Sequence, residues 1–127
     1  MDILEEYFKH DIAVGNYYTE KLKLEEINKN IKHLQSLKDV CNQKLKTFSE
    51  FLLASINNKN YEFYVDKVME ENISLIQLNI NLQKEIIKKE EKEEEVNKLY
   101  KIVLQNMDKQ KEMKKELFFY IKDHIHK

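Results

Sequence analysis

Nothing in this sequence punctuates a helix except Gly15 and the tetrapeptide Asn57-Asn58-Lys59-Asn60. The 127 residues hold one glycine and no proline. Sheets and α/β folds of this length turn many times, and their turns draw on glycine and proline for backbone angles that other residues resist. A chain without them is left with long uninterrupted helices. Leucine and isoleucine recurring every three or four residues support that reading. They also argue against disorder, which the 35% of charged residues would otherwise favour.

The break signals divide one domain, 1–127, into a short N-terminal helix (1–15), a first long helix (17–56), a turn (57–60) and a second long helix (61–127). The fold class this implies is all-α: a long antiparallel helical hairpin or coiled coil with a short N-terminal helix, possible closure onto the tail giving a three-helix bundle. Asp2 can cap the first turn, and Ile3, Leu4, Tyr7, Phe8 and Ile12 share a face. In the first long helix Leu24, Ile27, Ile31, Leu34, Cys41, Leu45, Phe48 and Leu52 keep 3–4 spacing, with Lys38 as a long-stemmed interruption. Three asparagines in the turn tolerate left-handed backbone and cap helix ends. The aromatics around them, Phe48, Phe51, Tyr61, Phe63 and Tyr64, either seal the hairpin tip or grip a partner; sealing is the plainer role.

Folding at this turn brings together residues whose numbers add to about 117. Leu34 then meets Leu82 and Gln83, Leu45 meets Asn72 and Ile73, and the segment beyond Val96 lies beside residues 1–21. Lys88 to Glu95, KKEEKEEE, offers no apolar contact. It reads as solvated continuous helix, because Glu and Lys form helices well, with a flexible joint at 88–95 as the alternative.

Ile73 to Ile87 carries two apolar stripes on one helix. Ile73, Ile76, Ile80 and Ile87 form one, interrupted by Gln83. Leu75, Leu78, Leu82 and Ile86 form the other. One stripe serves one neighbour, so two imply a second neighbour beyond the hairpin. The partner-binding candidates are Leu75, Leu78, Leu82 and Ile86, with Leu117, Phe118 and Ile121 of the aromatic tail.

Chemistry-bearing patterns are missing. A single glycine leaves no phosphate loop, and the lone Cys41 allows neither a four-cysteine zinc site nor an internal disulfide. His124 and His126 stand two apart on a helix and point in different directions. The carboxylates of Glu90 to Glu95 lack the apolar wall that tunes an acid–base pair. The chain is therefore read as a non-enzyme, with no catalytic, cofactor-binding or metal residues assigned. All 22 basic side chains are lysine, balanced by 23 acids; without arginine's bidentate fork, nucleic-acid binding is disfavoured. Membrane contact is disfavoured too: the longest apolar run, Leu117 to Ile121, is too short to span, and acidic Glu116 and Asp123 flank it. No basic leader precedes an apolar core at the N-terminus, which points to cytoplasm or nucleus.

These readings converge on a non-catalytic coiled-coil subunit or protein-interaction scaffold of a cytoskeletal, kinetochore, tethering or transcription-type assembly. It would pair with protein partners, as a homo- or hetero-oligomer. The alternative is a small helical-hairpin chaperone or cofactor that binds a client. Prefoldin subunits are similar in size, but Asn57–Asn60 leaves no room for the β-hairpins of that family.

Overall fold

A computed structural model describes residues 3–125, and side chains from Leu4 onward; the capping role read for Asp2, the Ile3 side chain and His126 lie outside the described residues. Two helices account for the described chain: α1, Ile3–Ala54, and α2, Tyr61–Ile125. The separate N-terminal helix and the three-helix bundle are corrected. Helix α1 runs through Gly15 without a break, because this glycine does not adopt positive φ and so supplies no C-cap. Its carbonyl accepts a bond from the Thr19 hydroxyl at 2.8 Å. The charged run Lys88–Glu95 is helical throughout, as its composition of strong helix formers favours.

The turn covers Ser55–Asn60. It closes through bonds that Asn58 N–H donates to the Ser55 carbonyl (2.9 Å) and Tyr61 N–H donates to the Asn58 carbonyl (3.1 Å). Asn58 Oδ1 also accepts from Asn60 N–H at 3.1 Å, an Asx turn that starts α2. Asparagine works here by side-chain acceptance, since no described residue takes left-handed backbone. Ser55 is buried and donates its hydroxyl to the Phe51 carbonyl, satisfying an orphan acceptor at the end of α1.

Packing falls into two compact units. The turn unit comprises residues 26–90, and the terminal unit residues 1–25 with 91–127. In the turn unit Cys41 meets Glu71 and Phe51 stacks on Tyr64, so the two segments run antiparallel as a helical hairpin. Every residue at 3–4 spacing from Ile27 to Leu52 on α1 is buried or half-buried, and Lys38 is among them. The facing row on α2 is Tyr64, Val68, Glu71, Leu75, Leu78, Leu82, Glu85 and Lys89. This alternation has the heptad spacing that coiled-coil seams use.

The terminal unit is also antiparallel: Glu20 contacts Lys92, Tyr17 contacts Tyr100, and Glu6 contacts Lys109. Its seam is Glu6, His10, Ala13, Tyr17, Glu20 and Leu24 against Lys92, Val96, Leu99, Val103, Asn106, Gln110 and Met113. The apolar face expected to pack in this region, Leu4, Tyr7, Phe8 and Ile12, is exposed instead.

Candidate protein-interaction surface

The turn unit decides between the two stripes of Ile73–Ile87. Leu82 is buried, at 9% exposure, and Leu75, Leu78 and Ile86 are half-buried in or beside the seam with α1. Ile73, Ile76, Ile80 and Ile87 remain 65%, 60%, 45% and 54% exposed. The register explains which stripe turned inward. Cys41 Sγ reaches the Glu71 carbonyl at 3.2 Å and its carboxylate at 3.3 Å, where the simple fold at the turn would place Ile76 opposite Cys41. That offset puts Leu75, Leu78 and Leu82 on the α1 side and leaves the isoleucines on the back of α2.

Of the residues expected to bind a partner, four therefore line the hairpin's own seam or its edge. The other three, Leu117, Phe118 and Ile121, lie in the last turns of α2 and are exposed. Leu117 closes a small cavity of about 30 Å³ with Glu6, Tyr7, Gln110, Met113 and Lys114, room for about one water. The uncovered isoleucines were legible in the sequence as a stripe. Which stripe faces solvent depended on a register that no single residue signals.

With Met69, the exposed stripe reads Met69, Ile73, Ile76, Ile80, Gln83, Ile87, again at strict 3–4 spacing. Ile76, Asn79, Ile80, Gln83, Lys84 and Ile87 bound a shallow open groove along it. At 1.5 Å per residue the stripe is about 27 Å long. Its flanks carry little charge: Asn72 and Asn79 on one side, and Glu70, Gln77 and Lys84 on the other. Gln77 bonds Asn81 at 3.2 Å, and Glu70 pairs with Lys67 at 3.5 Å. An apolar stripe of heptad period with polar flanks fits the face of another helix.

Around the turn the aromatics split. Phe48 and Tyr64 point into the seam, whereas Phe51, Tyr61 and Phe63 keep 49%, 41% and 55% of their surface in solvent. The cluster seals the tip only in part. Phe51 stacks on Tyr64 with ring centres 5.4 Å apart, and Phe63 meets Tyr64 edge-on at 5.3 Å.

Charged groups of the terminal seam pair with one another. Lys92 Nζ sits 2.6 Å from Glu20 and 2.9 Å from Glu95, and Lys23 adds a 2.9 Å contact to Glu20. The Lys92 and Lys23 ammonium groups hold the Glu20 carboxyl below its ordinary range, and Glu20 and Glu95 raise the Lys92 ammonium. Burial, then the hydrogen bond to Glu71, pushes the Cys41 thiol up, so it behaves as a small core residue and a poor nucleophile. No group of three or more metal-binding side chains occurs among the described residues. No described helix is long and apolar enough to cross a membrane.

In the turn unit, fold and surface together define an antiparallel helical hairpin that leaves the Met69–Ile87 stripe uncovered. Comparison with family models, curated proteins and solved structures returns no match for this chain.

Proposed function

We propose that this protein is a non-catalytic coiled-coil subunit that scaffolds a larger protein assembly, of the cytoskeletal, kinetochore, tethering or transcription type. The observation that carries the reading is the exposed Met69–Ile87 stripe. Six consecutive heptad positions, five of them apolar, lie uncovered on a helix that already has a complete seam on its other side. Single exposed apolar residues are ordinary; a periodic row of them is what a helix presents to a second helix. Cytoplasm or nucleus is the compartment this reading implies, and protein rather than nucleic acid or membrane is the partner.

The test compares the two stripes in the protein's own cells. Tagged chain should migrate in native extracts at a mass above that of its own oligomer. Ile76→Asp should release it from that complex with helix content unchanged. Leu82→Asp should lose the hairpin itself, because it buries an unpaired carboxylate in the seam at a cost of several kcal/mol. A wild-type chain that never exceeds the mass of its own oligomer would sink the scaffold reading.

A hairpin chaperone is the second reading, and the exposed Phe51, Tyr61 and Phe63 at the tip favour it. On that reading Phe51→Ser with Phe63→Ser abolishes suppression of a client's aggregation, while Ile76→Asp leaves it intact.

A further inference from the structure

We propose that the Met69–Ile87 face pairs antiparallel with the same face of a second copy of this chain. The inference rests on the scaffold reading and names the first partner of its exposed stripe. Two observations select a second copy over a different protein. The first is the stripe's own symmetry. Run antiparallel against itself and centred between Gln77 and Asn79, it sets Ile76 of one copy over Ile80 of the other, Ile73 over Gln83, and Met69 over Ile87. Apart from the Ile73–Gln83 layers, each layer is apolar on both sides. Such a contact is isologous, so the two-fold axis repeats every contact once.

The second observation is charge. The flank that carries Glu70, Gln77 and Lys84 meets the same flank of the second copy in reverse order. Glu70 of each copy then faces Lys84 of the other, and Gln77 faces Gln77. The opposite flank brings Asn79 to Asn79. Flanking charges set partner and orientation in coiled coils. In a parallel pair Glu70 would face Val65, and Lys84 would face Asn79, so neither charge would gain a counter-ion. Self-complementarity therefore exists in the antiparallel sense alone. Charge neutrality along the rest of both flanks means that no like-charge contact opposes it. Glu70 leaves little behind on re-pairing, since its contact with Lys67 is a long surface pair.

A strip about 27 Å long lies at the small end of specific interfaces, so self-association on the order of 10 µM is expected. Sedimentation equilibrium of the purified chain from about 1 to about 200 µM spans that range on both sides. The expected result is a monomer–dimer equilibrium that Ile80→Asp abolishes with helical circular dichroism unchanged. Glu70→Lys and Lys84→Glu, both at exposed positions that leave the fold untouched, should each weaken the dimer about tenfold or more. An equimolar mixture of those two variants should restore it, because every facing pair in the mixed dimer is again Lys against Glu. A wild-type chain that stays monomeric to the highest concentration overturns the proposal. So does a dimer insensitive to both charge reversals, since it is not built on this antiparallel face. Either failure leaves the scaffold reading standing if the native complex in extracts still depends on Ile76. Loss of that complex with the dimer intact removes the scaffold reading alone.

Discussion

The two units use the same heptad spacing and fill it with different chemistry. In the turn unit the seam is mostly aliphatic and aromatic, with Ile27, Ile31, Leu34, Leu45, Phe48 and Leu52 facing Val68, Leu75, Leu78 and Leu82. In the terminal unit the same positions hold Glu6, His10 and Glu20 against Lys92, Asn106 and Gln110, interleaved with Ala13, Tyr17, Leu24, Val96, Leu99, Val103 and Met113. Among the described residues each unit buries three hydrophobic side chains, but Ala13, Val96 and Val103 of the terminal unit are smaller than Ile31, Cys41 and Leu82 of the turn unit taken together. His10 Nδ1 and Gln110 Nε2 are buried with no partner among the protein's own atoms. Backbone geometry is thus the same in the two units, while the share of polar side chains in the seam is not. Apolar layers supply affinity; polar seam residues restrict register and subtract stability. The terminal unit should open more readily than the turn unit.

The strongest challenge to that contrast comes from removing one buried aliphatic residue on each side. Leu82→Ala should cost about 3 kcal/mol, the transfer of three methylene equivalents plus the cavity left in a packed seam. Val103→Ala deletes two, from a thinner core, and should cost about 1–2 kcal/mol. Urea unfolding followed by circular dichroism measures both. Equal losses would mean that the terminal seam is packed as tightly as the turn seam, and the contrast would fail.

The same contrast shows what could be read from the residues alone. Long helices followed from missing glycine and proline, and the α1 seam from Leu24 to Leu52 appears in the structure with the spacing expected, Lys38 included. Strong apolar periodicity leaves a seam one choice. Where the periodicity weakens, the reading failed in specific ways. Leu4, Tyr7, Phe8 and Ile12 looked like a packing face, yet heptad continuity from Leu24 back through Glu20, Tyr17, Ala13 and His10 overrode local hydrophobicity. Met107 stands four residues after Val103 and is exposed, with Asn106 taking the seam position. Glu6 and His10 stand four apart on α1, yet Glu6 contacts Lys9 at 3.5 Å and Lys109 at 3.9 Å. Long-range register decides each of these cases, and register is the sum of many weak layers. The exposed isoleucine stripe was visible as a stripe, but its exposure depended on the same register.

Converting one terminal layer to the turn unit's type sharpens the comparison at a smaller scale. Gln110 brings a buried amide whose Nε2 has no protein partner. Gln110→Leu keeps the approximate volume and removes the unsatisfied donor, so it should stabilise the chain by about 1 kcal/mol. That corresponds to a rise in Tm of about 4 °C for a chain of this size. No change, or a loss, would show that the amide is satisfied by solvent at the seam edge and that this polar layer does not weaken the unit.

The smallest effect expected is a pH dependence confined to the terminal unit. Glu20 and Lys92 meet at 2.6 Å across its seam, with side chains only 16% and 21% exposed. The Glu20 carboxyl is held below its ordinary 4.5, so its contribution is present above that value and is lost as pH falls through the lowered one. The Lys92 ammonium is raised above 10.5, so its contribution is present below that value and is lost as pH rises through the raised one. Stability from this pair should therefore be flat through neutral pH and fall at both ends. Glu20→Gln removes the acid limb and leaves Lys92 with Glu95 as its carboxylate partner, so the alkaline limb should shrink without vanishing. The urea midpoint measured from about pH 3 to about pH 11 reads this as a difference between the wild-type and variant profiles. Parallel profiles would mean that water already screens the pair, and that register in the terminal unit is set by Tyr17, Tyr100 and the two valines rather than by charge.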